Sequence, residues 1–301
     1  MISPLNPQAQ SFLAGLAQIQ QTLQTSETQL TTGLKINNVS DDPTEIAELW
    51  QTQSELGQTQ QVETNLGQVS TEVNTAESSL ESAVTLVEQA ESLGAQGATD
   101  TADANTRADL AEQLGSILQE LVSTANTSVQ GRYIFAGDTD QTAPYSVDLT
   151  QTNPVSAYQG STSTREIQGA DGTSFPIALT AQQIFDSPNA QDNVFTSITN
   201  LMQGLQNNDD TTINASISSV QTADIYLNQQ LAFYGNVQDR VNNAQTFSQN
   251  YTVQLQSQLS GLQDANEAET ITNMTQATTQ LQAALQSEGQ LPRTTLFDFL
   301  G

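Results

Sequence analysis

Apolar residues open the chain in alternating steps of four and three. They are Leu5, Ala9, Phe12, Leu16, Ile19 and Leu23, with Ser26 in the next place and Leu30 after it. That spacing draws one narrow stripe along a helix and is the pattern of a coiled-coil seam, so a helix is predicted from Pro4 to about Asn37. The run Asn38-Val39-Ser40-Asp41-Asp42-Pro43 interrupts it. Ser40 or Asp41 suits an N-cap, Pro43 a first turn, and Glu45 sets a negative charge at the helix start. From about Thr44 a second stripe develops through Leu66, Val73, Leu80 and Val87 and weakens at Gly94-Ala95-Gln96-Gly97, where a turn is expected. A third helix, about 103–129, carries Leu110, Leu114, Ile117 and Leu121, with Gly131 as its stop signal.

The pattern changes over 132–180. Short aromatic or β-branched pieces such as Tyr133–Ala136, Pro144–Leu149 and Phe175–Leu179 are separated by Gly137, Gly160 and Gly172, which reads as a small β-rich insert. Helical spacing returns over about 190–207, 211–263 and 266–287. The last of these shows Ile271, Met274, Thr278, Leu281 and Leu285, again in threes and fours. The tail ends on apolar residues that include Phe297 and Phe299.

Proline placement supports this division. Residues 44–143 and 189–291 contain none, while four of the eight prolines fall within 144–188. Proline breaks helix interiors, so two long proline-free tracts permit long helices and the cluster marks a non-helical segment. The predicted fold is therefore mainly α: a long antiparallel helical rod or coiled coil of N- and C-terminal segments with a small β-rich inserted domain. Terminal assembly helices are assigned to 1–43 plus 264–301, a central helical domain to 44–131 plus 189–263, and the insert to 132–188.

Charge sharpens the contrast between ends and middle. The 301 residues hold 33 acids and 6 bases, a net charge of −27. Residues 1–40 carry only Glu27 and Lys35, and residues 270–301 a net −1, so almost all the negative charge lies between them. Near-neutral ends crowd against copies of themselves at little electrostatic cost, whereas an acidic middle is better left facing water. Binding to nucleic acid or to an anionic membrane surface needs clustered Lys and Arg, which this chain lacks. No stretch approaches the 18 apolar residues of a membrane span, and the first base is Lys35, so the basic start of a cleaved signal peptide is missing.

With no His and no Cys, general-base chemistry loses its commonest residue, and thiolate and soft-metal sites are excluded. No glycine-rich phosphate loop is present. No catalytic, cofactor or metal site is expected, and the chain is read as non-enzymatic. The pairs Asp41-Asp42 and Asp209-Asp210, and Asp138 with Asp140, read as caps and turns. A loosely held surface cation is the residual reading for Asp138 and Asp140. Nothing in 132–188 shows a convergent polar or aromatic site.

Three segments carry a resemblance. Residues 26–48, SETQLTTGLKINNVSDDPTEIAE, resemble the N-terminal signature of the flagellin superfamily. GRYIFAG at 131–137 and TLFDFL at 295–300 resemble segments of its hook–filament junction branch, the hook-associated protein 3 family. The resemblance implies a structural subunit of the bacterial flagellum that joins hook to filament as a ring. It implies copies of itself, hook-associated protein 1, flagellin and a cytoplasmic flagellar export chaperone as partners. It further implies export through the flagellar type III apparatus to an extracellular place in the flagellum. Gln89 and Glu91 stand where the family carries a basic pair, so immune-receptor recognition is not implied. A filament-forming flagellin is the alternative. The residues assigned to subunit interaction are Leu5, Phe12, Leu16, Ile19, Leu23 and Leu30 at one end, with Ile271, Met274, Leu281, Leu285, Phe297 and Phe299 at the other.

Overall fold

The computed structural model describes residues 7–189 and 192–289. Among these residues the order is α1 (Pro7–Thr32), α2 (Ile46–Gly97), α3 (Ala104–Ala125), β1 (Ser128–Val129), β2 (Arg132–Tyr133), β3 (Glu166–Gln168), β4 (Ser174–Pro176), α4 (Ala181–Phe185), α5 (Val194–Gln206), α6 (Asp210–Gln263) and α7 (Glu267–Gly289). Long antiparallel helices with a small strand-bearing region are thus the fold, as the proline map predicts. The chain forms two compact units, one from the residues up to 58 together with those from 251 onward, the other from 59–250. The two longest helices, α2 and α6, contribute to both, and the strand-bearing segment lies within the second unit.

The helix ends show where local chemistry overrules pattern. α1 stops at Thr32 rather than near Asn37, because Gly33 takes the left-handed conformation at φ +73° and its N–H returns to the Gln29 carbonyl at 2.8 Å. The cap of α2 is Asp42, not Ser40 or Asp41. Its Oδ1 accepts the N–H groups of Thr44 and Glu45 and the Thr44 hydroxyl, which holds the carboxyl below its usual range. Asp41 instead closes the preceding loop by accepting the N–H groups of Asn37 and Asn38.

Residues 94–97 do not turn, since α2 runs to Gly97. Gly94 is there for packing, because a Cβ at that position would sit 2.9 Å from a methyl of Leu201 on α5. Gly131 likewise does not stop α3, which ends at Ala125 with Asn126 as its C-cap. With Gln130 at φ 52° and Gly131 at φ 79° it forms the two-residue turn of the β1–β2 hairpin.

The strand-bearing segment is leaner than its aromatic content suggests. The β1–β2 hairpin, the β3–β4 pair with Ile167 opposite Phe175, and a bridge between Val147 and Val155 are separated by turns. Side chains tie the segment to the long helices. Arg165 pairs with Glu72 at 2.7 Å, the Arg240 guanidinium lies 4.3 Å from the Phe175 ring centre, and the Leu179 N–H donates to the Tyr234 hydroxyl at 3.0 Å. Phe135, fully buried, meets the edges of Phe185 and Tyr234 and links this segment to α4 and α6. Burial raises the Tyr234 phenol well above its ordinary pKa, so it stays protonated.

One buried cation organises the end of this unit. Arg107, 5% exposed, donates to the Gly97 carbonyl and to Asn208 Oδ1, and pairs with Asp210 at 2.6 Å. It thereby closes the end of α2 against the α5–α6 turn. Replacing Arg107 by Met keeps most of the volume but leaves the Gly97 carbonyl unpaired. The expected loss is about 2–3 kcal/mol of stability, read by urea unfolding.

Candidate functional site

The two terminal helices form a unit with unusually little interior. α1 packs against α7, and the chain ends that join them are tied by an antiparallel bridge between Leu34 and Asp264. The Lys35 N–H donates to the Gln263 carbonyl at 2.6 Å and the Ala265 N–H to the Gly33 carbonyl at 2.8 Å, so the helices run in opposite directions. Lys35 also pins the start of α2, with its ammonium 2.7 Å from Glu45 and 3.9 Å from Asp42. The Glu45 bond raises the lysine pKa, so the chain's single lysine stays charged.

The seam on α1 follows the heptad reading. Phe12, Leu16, Ile19 and Leu23 are half-buried and Ser26 is buried, while Leu30 is exposed. On α7 the inward face is Thr270, Met274, Ala277, Leu281 and Ala284. Met274 and Leu281 belong to the predicted stripe, but Ile271 and Leu285 lie outside the seam, 50% and 53% exposed. The helices take the small residues at the close approach and leave two large ones outside. Leu5, Phe297 and Phe299 lie outside the described residues.

Among the described residues of this unit only Ile36, Leu49, Leu255 and Ala277 are fully buried hydrophobics. Seven of the ten exposed large hydrophobics lie here too, among them Leu13, Leu30, Trp50, Val253, Ile271 and Leu285. Such a unit removes little apolar surface from water for the chain entropy it gives up. The outer surface is also free of charge over long stretches, with none from Gln8 to Ser26 and none from Thr270 to Ser287.

The hydroxyls there are already satisfied. Thr22, Thr28, Thr31 and Thr32 on α1, and Thr272, Thr275 and Thr279 on α7, donate to the carbonyl four residues back. Covering this face therefore desolvates no ion over those stretches and leaves these hydroxyls paired, while exposed amides such as those of Gln18, Gln21, Gln280 and Gln282 offer hydrogen bonds to a neighbour.

Three of the remaining candidates act as a cap or in ion pairs. Asp209 accepts from Thr211 and Thr212 at the start of α6, Asp210 pairs with Arg107, and Asp140 with Arg132. Among the described residues no cluster of three or more His, Cys, Asp or Glu is placed to hold a metal ion, and no helix is long and apolar enough to cross a membrane.

The second unit is strongly acidic, with 22 acids against 4 bases over 59–250. Asp224 on α6 shows the strain of this. One carboxylate oxygen is buried without a partner, and burial, then Glu88 and Glu91, raise its pKa. Because folding raises this pKa, its contribution is present below the ordinary carboxylate value and is lost as pH rises through the folded one. Asp224→Asn is thus expected to raise the melting temperature at pH 7 and to shrink that gain on acidification towards pH 4, as calorimetry across that range would show.

Comparison with known proteins places this geometry. Residues 5–140 match the model of the bacterial flagellin N-terminal helical region. No curated protein sequence matches the chain. Among solved structures, FlgL of Bacillus cereus is 17% identical with a TM-score of 0.56, over 71% of this chain and 100% of that one. FlgL of Xanthomonas campestris is 16% identical with a TM-score of 0.60, over 68% and 98%. Flagellar hook-associated protein 3 of Legionella pneumophila is 12% identical with a TM-score of 0.61, over 70% and 98%. At these identities the likeness is one of fold.

Proposed function

We propose that this chain, whose residues 5–140 carry a flagellin-type N-terminal helical region, is a non-enzymatic structural subunit of the bacterial flagellum that joins hook to filament. The observation that carries the proposal is the terminal unit: an antiparallel helix pair, uncharged over 8–26 and 270–287, with a thin core and an outer face set with large apolar side chains. The likeness in fold to FlgL and hook-associated protein 3 structures, each covered almost end to end, supports the same role.

The residues divide into two tasks. Phe12, Leu16, Ile19, Leu23, Met274 and Leu281 hold α1 against α7. Leu30, Ile271 and Leu285 are the side chains left for a neighbouring subunit, and Leu5, Phe297 and Phe299 extend that assignment to the chain ends. Assembly is passive: apolar side chains exposed in the single chain are covered by copies of the chain in a ring, with hook-associated protein 1 on one side and flagellin on the other. The acidic second unit faces water. Before assembly, a cytoplasmic export chaperone shields the C-terminal helix, and the chain leaves unfolded through the flagellar type III apparatus.

A filament flagellin shares the helical signature but not the behaviour of a junction subunit. Seeding the purified full chain with filament fragments in high salt separates the two. A junction subunit stays monomeric, whereas growth of long filaments overturns the assignment in favour of flagellin.

A further inference from the structure

Away from the terminal helices, the second unit contains a cavity of about 310 Å³ between the 153–157 stretch and α5, the lower end of the range that holds small ligands. Its floor is the buried ring of Phe195, which packs on Tyr145 and Phe185 at centroid distances of 5.1 and 5.6 Å. Pro154 and Val155 form an apolar wall. Around them stand Asp186, Asn153, Asn200, Gln203, Thr196 and Thr199.

Thr199 is 8% exposed and lines the cavity, with its hydroxyl open to the solvent there rather than bonded to another described residue. Many helical threonines in this chain, such as Thr85 and Thr124, spend that hydroxyl on the carbonyl four residues back, whereas the Thr199 hydroxyl is left for water or a ligand.

The neighbouring groups are already oriented. Asn193 donates to Asp186 Oδ1 at 2.7 Å, and Gln203 donates through Nε2 to the Thr152 carbonyl at 2.8 Å, which leaves its side-chain oxygen as an acceptor.

We infer that this cavity binds a neutral, hydroxyl-rich ligand of monosaccharide or disaccharide size. The lining holds one carboxylate and no base, so a phosphate or carboxylate ligand would meet Asp186 uncompensated. Amides and hydroxyls offering both donors and acceptors suit adjacent ligand hydroxyls, while Phe195, Pro154 and Val155 suit the C–H face of a sugar ring. The inference stands apart from the assembly role, since every lining residue lies within 59–250.

The test is NMR titration of the isotope-labelled full chain with glucose, galactose, N-acetylglucosamine, maltose and sucrose. At least one sugar is expected to shift the Thr199 and Asn200 amide signals saturably, with a dissociation constant in the millimolar range. Thr199→Val, which keeps the shape, is expected to weaken it about tenfold with an unchanged melting temperature. Should that variant fold poorly, Asn200→Ala at an exposed position is expected to show the same loss. The inference is overturned if no sugar shifts these signals, if both folded variants bind as tightly as the parent, or if putrescine saturates the site and the sugars do not.

Discussion

Replacing Leu16 and Leu23 together by Asp dissolves the α1–α7 pair and leaves residues 59–250 folded. Both leucines sit half-buried on the α1 seam, two turns apart. Each substitution forfeits leucine burial worth about 1 kcal/mol for a half-covered side chain and sets a carboxylate against an apolar partner, a further cost of several kcal/mol. The terminal unit, with its four fully buried hydrophobics, has no reserve to absorb this. Hydrogen exchange across α1 and α7 is expected to lose its protection. The unfolding transition seen by tyrosine near-ultraviolet circular dichroism stays where it was, because five of the six tyrosines lie within 59–250. In cells lacking the parent protein this variant builds no filaments. Ile271→Glu separates folding from contact: the residue is half exposed, so the helix pair survives while assembly fails.

Phe135→Ala has the largest expected effect on the second unit. The ring is fully buried at the meeting of Phe185 and Tyr234, and the backbone beside it is just as engaged. Its carbonyl accepts the Ala181 N–H at 2.7 Å and the Tyr158 hydroxyl at 3.1 Å. Truncation opens a cavity that these tied neighbours are poorly placed to fill, so the loss is expected at about 3–5 kcal/mol. Urea unfolding followed by tyrosine dichroism measures it, and a loss under about 1 kcal/mol would mean that the strand-bearing segment is not seated on α4 and α6 through this ring.

The helical architecture was legible because proline and heptad spacing act over many residues. The face of α7 was only half legible. Two stripes overlap there, sharing Met274 and Leu281. Hydrophobicity favours the one with Ile271 and Leu285, whereas close antiparallel packing favours Thr270, Ala277 and Ala284. Glycine misled for a related reason. Gly94 and Gly97 read as a turn, but a bare backbone is also what a neighbouring leucine needs in order to approach. Arg107 carried no signal, since a lone charge in a helix reads as solvated. The cavity at Thr199 was invisible because its lining comes from residues 153–157, 186 and 195–203, brought together only by the fold.

In the proposed role the terminal helices meet neighbouring subunits at one place in the flagellum. Immunogold labelling of isolated flagella, with antibody raised against residues 59–250, tests that most directly. A single band where the hook meets the filament is the predicted result. Label along the whole filament, or none on the flagellum, would contradict it.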